Sequence, residues 1–280
     1  MKSAKRQRST KKFFTYLVLT LGLVAVVLPF WYMIITSLKP QSYIFEIPPR
    51  LWPSEITLDN FKAALSKNTF GIYFLNSLFV AVTSTALTVL ISSMLAYVFA
   101  RMQFRGKETI FSIFLVGMMI PPVMLIIPQF IITKQIGLFD SLAGLVTVYI
   151  SMNLSTQTYL LRNFFEDFPR DMEEAALIDG ASQWIIFSKL ILPLSKPGLS
   201  VVTIFTFLYS WDEFPWAHVA IKETSKRTLP IAIALFQTQH LTEWGQVFAA
   251  SLIALIPVVI VYLIFQRYFV QGISTTGMKG

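Results

Sequence analysis

The stretch Asp171-Met172-Glu173-Glu174-Ala175-Ala176-Leu177-Ile178-Asp179-Gly180, carried on through Leu190-Ile191-Leu192-Pro193 to Pro197, interrupts a chain otherwise built from long apolar runs. Between Arg162 and Lys196 stand the basic residues Arg162, Arg170, Lys189 and Lys196 and the acids Glu166, Asp167, Asp171, Glu173, Glu174 and Asp179. At about 2.5 to 3.5 kcal/mol for each charge placed at a bilayer centre, no apolar gain inserts such a segment into lipid. It must lie in water, and its flanks decide what surrounds it.

Those flanks are of membrane-spanning length. Residues 13–36, and then roughly 73–100, 109–133, 141–161, 198–220 and 247–269, each approach the ~20 residues that cross ~30 Å of hydrocarbon. Composition agrees. Of 280 residues, 55% are hydrophobic and 14% charged, and the mean hydropathy is +0.62, whereas a soluble domain carries roughly 25% charged residues. The expected fold is an all-α integral membrane protein of six transmembrane helices.

Residues 1–12 carry six Lys and Arg and no acid. The apolar run that follows is longer than that of a secretory signal peptide and ends at Trp31-Tyr32 without a small-residue cleavage site, so it reads as a retained first helix. Six spans put both termini on one side. With the N-terminus inside, 15 of the 23 basic residues fall on the inner side and 8 on the outer, and that bias places both termini in the cytoplasm. The expected organisation is a basic cytoplasmic segment 1–12, helix 1 over 13–36, an extracytoplasmic loop 37–72, a five-helix core 73–269 and a cytoplasmic tail 270–280. Within the core, 162–196 is a cytoplasmic loop between helices 4 and 5. Orientation accounts for the net charge of +8 without any nucleic acid.

The absence of Cys excludes disulfides, thiolate nucleophiles and cysteine metal sites. His218 and His240 are too far apart for an i, i+4 metal pair, so no metal site is expected. No catalytic residue is expected either, because no nucleophile stands at recognisable spacing from a base.

Local signals divide the polar loop into two short helices. Asp171 with Glu174 three residues on has the spacing of a capping box, Gly180 suits a left-handed C-terminal residue, Ser182 can cap the next helix, and Pro193 stops or kinks it. Ala175 and Ala176 leave room for close approach, and Leu177 and Ile178 supply apolar area. Docking into a partner's groove and packing as an internal helix-turn-helix fit these features equally.

Polar residues inside the spans are the other anomaly. Pro121, Pro122 and Pro128 break the third run, and such breaks are tolerated in lipid where freed carbonyls face protein or water. The fourth run holds Ser151, Asn153, Ser155, Thr156, Gln157 and Thr158; the fifth holds Tyr209 and then Trp211-Asp212-Glu213-Phe214. Interhelical hydrogen bonding and a substrate-facing wall are both open for the fourth run. Asp212 either faces a pathway or sits among headgroups. On the pathway reading Asn153, Gln157, Tyr209, Trp211 and Asp212 line it. The outer segment 37–72, with Pro40, Pro48, Pro49 and Pro53 beside Phe45 and Trp52, is either a cover over the bundle or a flexible linker.

Glu174-Ala175-Ala176, then Gly180 after three residues, then Leu190-Ile191-Leu192-Pro193, resembles the cytoplasmic signature of permease subunits in bacterial binding-protein-dependent ABC importers. That pattern usually has Ile where Leu190 stands. Ser37-Leu38-Lys39-Pro40, Asn76-Ser77, Ala96-Tyr97 with Arg101, Pro121 with Pro128, Trp211 to Phe214, Leu229-Pro230 and Gln266 to Gly272 extend the resemblance to the maltose-type carbohydrate permeases, where an Asn commonly stands in place of Asp212. The resemblance implies that Glu173, Glu174, Ala175, Ala176, Asp179 and Gly180 form a coupling helix seated on one of two cytosolic ATP-binding subunits. It implies a second, homologous permease subunit in a heterodimer, an extracytoplasmic solute-binding protein, and residence as a multi-pass protein of the bacterial cytoplasmic membrane. A sugar or oligosaccharide is the implied solute.

No Gly-x-x-x-x-Gly-Lys-Ser/Thr loop is present, so the chain is expected to bind no cofactor and to be no enzyme, with ATP and Mg used by the partner. An ion-coupled secondary transporter using Asp212 and Glu213 is the competing expectation, and a membrane enzyme with Asp212, Glu213 and His240 a third.

Overall fold

The computed structural model describes residues 2–44, 47–48, 52–66, 69–236 and 242–276, with side chains from 12 to 268 within those ranges. Phe45, Pro49 and His240 lie outside the described residues. No β-strand occurs among the described residues. The helices are α1 (Lys2–Ser37), α2 (Asp59–Ser66), α3 (Phe70–Arg101), α4 (Lys107–Met118), α5 (Ile126–Gln135), α6 (Leu142–Glu166), α7 (Asp171–Ile178), α8 (Gln183–Leu194), α9 (Lys196–Asp212), α10 (Pro215–Ala220), α11 (Leu229–Ala234) and α12 (Trp244–Thr276).

Among the described residues three helical stretches, Lys12–Ser37, Phe70–Arg101 and Trp244–Tyr268, are long and apolar enough to cross a membrane, and the number rises to five if each of two bent pairs is one span. The expected fourth span, α6, is 25 residues long, but its run from Ser151 to Thr158 is too polar for the same standard. The third and fifth expected spans are not continuous. α4 and α5 meet at 98°, because Pro122 forces the residue before it out of the helical region and Pro121 is accordingly extended. Pro128 falls in the first turn of α5, where no intrahelical donor is missing. The expected helix 198–220 ends at Asp212, since Glu213 turns extended and Pro215 opens α10.

Contacts divide the chain into two units, one of residues 1–68 with 233–254, the other of 69–232 with 255–280. In the first unit described residues of segment 37–72 fold back onto the end of α1. Asn60 is buried and its Nδ2 donates to the carbonyls of Ser37 (2.9 Å) and Lys39 (2.7 Å) at the end of α1. Gln41 Nε2 donates to Thr242 O at 3.2 Å, and Trp31 packs on Trp52 at 5.6 Å.

In the second unit α3, α6 and α9 pack together. Buried Ser77, Ala81, Ser84, Thr85, Thr88, Ser92 and Ala96 recur at three- and four-residue steps down one face of α3, and small side chains let helix backbones approach closely. Apolar clusters stand toward the two ends: Val80, Leu145, Tyr149 and Trp216 in one, Tyr97, Leu161, Phe165, Ile186 and Val202 in the other. Between them in sequence lie the buried polar residues Ser84 to Ser93, Asn153 to Thr158, and Thr206 with Ser210. α6 begins tightly. Ser141 Oγ donates to Leu138 O (2.7 Å) and accepts from Gly144 N (3.0 Å), and a Cβ on Gly144 would stand 2.1 Å from Leu138 O.

Since that neighbour is backbone, Gly144→Ala should lower stability by about 1 to 3 kcal/mol. Thermal unfolding of the detergent-solubilised protein measures it. Gly71→Ala in α3, whose Cβ would meet nothing within 4 Å, is the control expected to hold or raise the midpoint.

Candidate functional site

The charged loop forms a corner. α7 ends as its sequence predicts: Gly180 has φ +82°, and Gly180 N donates to Leu177 O (3.0 Å) while Ala181 N donates to Ala176 O (2.9 Å), a Schellman arrangement. Ser182 caps α8 by accepting from Ile185 N at 3.4 Å. The expected capping box is absent. Asp171 is already the first helical residue, and Arg170 before it is helical and makes no side-chain cap, so the extended residue that an N-cap needs does not exist there. Asp171, Glu173 and Glu174 nonetheless place negative charge on the first turn, where the helix dipole favours it.

The corner has two faces. Glu174, Ala175, Asp179 and Gly180 are exposed, Ala176 is half-buried, and Leu177 and Ile178 are 46% and 86% exposed. Glu173 points the other way. Its Oε1 lies 2.8 Å from Nε of Arg101, the last residue of α3, with the two side chains only 13% and 4% exposed. Arg101 Nη2 also donates to the carbonyls of Phe165 (2.6 Å) and Phe168 (3.0 Å) at the end of α6. One turn earlier, Tyr97 OH donates to Gln183 Oε1 at 2.7 Å. Burial pushes the Glu173 carboxyl above the ordinary glutamate value, against the Arg101 and Arg170 guanidiniums that pull it down. A cavity of about 460 Å³ opens beside Arg101, Arg170, Glu173, Glu174 and Gln183.

A second cavity, about 420 Å³, is lined by Pro122, Gln129, Tyr149, Met152, Tyr209 and Asp212 among others. Of the five expected pathway residues, Tyr209 and Asp212 come together here. Trp211 is buried between Phe74 (5.6 Å) and Phe207 (5.8 Å). Asn153 is buried and donates to Tyr149 O at 2.8 Å, and Gln157 is buried among the polar residues of α6. Neither is among the lining residues. Glu213 takes a role its sequence did not announce. Its carboxylate accepts from Tyr149 OH (2.6 Å), Trp216 N (2.6 Å) and Ala217 N (3.0 Å), which supplies the first turn of α10 with the acceptors it lacks.

The loop between α10 and α11 is fastened by residues that also escaped functional reading. Asn76 Nδ2 donates to Ser225 O (2.8 Å) and Arg227 O (2.9 Å), and Ser77 Oγ accepts from Leu229 N (2.8 Å). Asp140 accepts from Lys222 N (2.8 Å) and Glu223 N (3.1 Å). Slight burial alone would raise the Asp140 carboxyl, but these donors and the Lys226 and Lys222 ammoniums hold it below the ordinary aspartate value. Among the described residues no three His, Cys, Asp or Glu gather to hold a metal ion.

Residues 89–275 match the family described as binding-protein-dependent transport system inner membrane component. The chain belongs to that family, whose members are membrane permease components of ABC transporters and not themselves catalytic. It is 35% identical over 258 residues to the sulfoquinovosyl glycerol transport system permease protein SmoH of Agrobacterium fabrum, covering 92% of this chain and 90% of that one. It is 34% identical to the trehalose transport system permease protein SugB of Mycobacterium tuberculosis, with 93% and 95% covered. Its fold is that of a chain in the crystal structure of a bacterial ABC transporter involved in the import of the acidic polysaccharide alginate, with TM-score 0.79 at 24% identity and 94% and 98% covered.

An aspartate whose folded value is depressed stabilises the fold at neutral pH, and that contribution is lost as pH falls through the folded value. Amide-exchange protection at Lys222 and Glu223 should therefore persist at neutral pH and fall only below the ordinary aspartate range. In Asp140→Asn it should be weaker at neutral pH and lose that acid-dependent step.

Proposed function

We propose that the chain is one transmembrane permease subunit of an ATP-driven importer that carries a sugar or oligosaccharide across a bacterial cytoplasmic membrane. The observation that carries this is the α7 corner, a water-facing helix with a closed left-handed turn at Gly180, in a chain of the binding-protein-dependent permease family. Six spans with both termini cytoplasmic are formed by α1, α3, the bent α4–α5 pair, α6, α9 with α10, and α12. Segment 162–196 then faces the cytosol, as its charge requires.

On this reading two cytosolic ATP-binding subunits hydrolyse ATP with Mg, and each receives a coupling helix. Glu174, Ala175, Ala176, Asp179 and Gly180 of this chain meet one of them. A second, homologous permease completes the pathway, and an extracytoplasmic binding protein delivers the solute. The naming of relatives after sulfoquinovosyl glycerol and trehalose supports a glycoside as cargo. Tyr209 and Asp212, which share the cavity, are the pathway residues of this chain that meet the solute; Asn153, Gln157 and Trp211 shape the helices behind it. Ion coupling through Asp212 and Glu213 has lost its footing, because the Glu213 carboxylate is committed to three donors.

The deciding experiment is uptake by vesicles holding the complete complex. Solute identified by mass spectrometry in the co-purified binding protein should accumulate only with ATP inside the compartment that holds the ATPase; accumulation driven by a proton or sodium gradient without ATP would sink the reading. A narrower test uses the corner itself. Gly180 has open space around its Cβ position but a left-handed backbone, which costs a β-branched residue about 1 to 2 kcal/mol. Gly180→Val should release the ATPase subunit on affinity purification while the two permeases stay together.

A further inference from the structure

The family resemblance groups Glu173 with Glu174, Ala175, Ala176, Asp179 and Gly180 as contacts for the ATPase, yet Glu173 is turned away from the exposed face. Its carboxylate is spent on Arg101, and with both side chains nearly covered it has little surface left for a partner. Arg101 is held from three directions: by Glu173 of α7 and by two carbonyls where α6 ends. A planar guanidinium can serve separate acceptors at once, which an ammonium on a flexible stem does less well. Tyr97, one turn back on α3, reaches the first residue of α8. The end of α3 therefore grips the corner on both sides of Gly180, at Glu173 before it and at Gln183 after it.

We propose that Arg101 is a positioning residue that, through Glu173, locks α7 to the end of α3 so that the two move as one body when the ATPase moves α7. The inference rests on the coupling reading above and adds to it the route by which motion enters the membrane. Removing one member of a covered ion pair leaves the other charge buried and unpaired, so Glu173→Gln weakens the lock. It keeps the side-chain volume and leaves the bonds from Arg101 to α6 intact. Arg101→Lys keeps the charge and loses the fork.

The chain contains no cysteine, so spin labels can be placed at Met172→Cys on α7 and Leu90→Cys on the exposed side of α3 in a complex whose other subunits are cysteine-free. Distances are read without nucleotide and after trapping with ATP and orthovanadate. Without further change, the label separation should shift between the two states by no more than ~2 Å, the scale of a packed-helix adjustment. With Glu173→Gln or Arg101→Lys added, it should shift by ~5 Å, about one helical turn, or broaden on trapping, while the ATPase still co-purifies. A one-turn shift in the otherwise unsubstituted chain overturns the proposal, as does a narrow, state-independent distance in the variants. Loss of the ATPase in Glu173→Gln also overturns it, since Glu173 would then belong to the docking face. Failure of the unsubstituted complex to bind ATPase at all removes the transport reading itself, whereas failure confined to the variants removes the lock alone.

Discussion

A chain that crosses hydrocarbon has no water to satisfy its backbone, so every N–H and C=O must find a partner within the protein. Unbroken helices meet this condition without help. Among the described residues, three of the places where this chain breaks its helices show how the condition is met. Between α4 and α5, Pro121 and Pro122 bring no donors to be orphaned, and a 3-10 turn over Pro122–Leu125 carries the chain into α5. After α9, Glu213 supplies acceptors for α10. Between α8 and α9, Pro197 sits in the first turn and Ser195 N donates back to Ile191 O at 3.0 Å. The two breaks nearest the cavity that Tyr209 and Asp212 share give it Pro122 and Val123 on one side and Glu213 and Pro215 on the other. The pocket exists because the helices stop there.

What the sequence made legible was local. Gly180 and Ser182 depend on backbone preferences of one or two residues, and the structure has the left-handed turn and the serine cap where the residues predict them, whereas Pro193, expected to stop or kink the second helix, lies inside α8, which runs on to Leu194. Asp171 misled because capping depends on the conformation of the residue itself, which is set here by the helical entry through Arg170 rather than by the spacing to Glu174. The prolines at 121 and 122 were visible as interruptions, but not the 98° size of the bend they bring, and Pro215 was read through within the expected helix 198–220.

Long-range pairings were not legible. Arg101 and Glu173 stand 72 positions apart, and a lone arginine closing an apolar helix reads as an orientation signal. Tyr149 and Glu213 have the same difficulty, and so do Asn76 and Ser77, whose amide and hydroxyl reach a loop some 150 positions on. The resemblance to a permease family pointed to several of these residues without giving the reason for them. Their geometry supplies it: Asn76 and Ser77 fasten a loop, Tyr97 and Arg101 fasten a corner, and Glu213 begins a helix.

The outward face of α7 carries a cost for any copy of the chain that stands alone. Ile178 at 86% and Trp184 at 61% exposure put a large apolar side chain on each side of the turn, in a stretch whose charges keep it out of the bilayer. Water is a poor neighbour for both. Chaperones and proteases recognise such surfaces, so a copy whose corner stays bare presents them with one for as long as it stands alone.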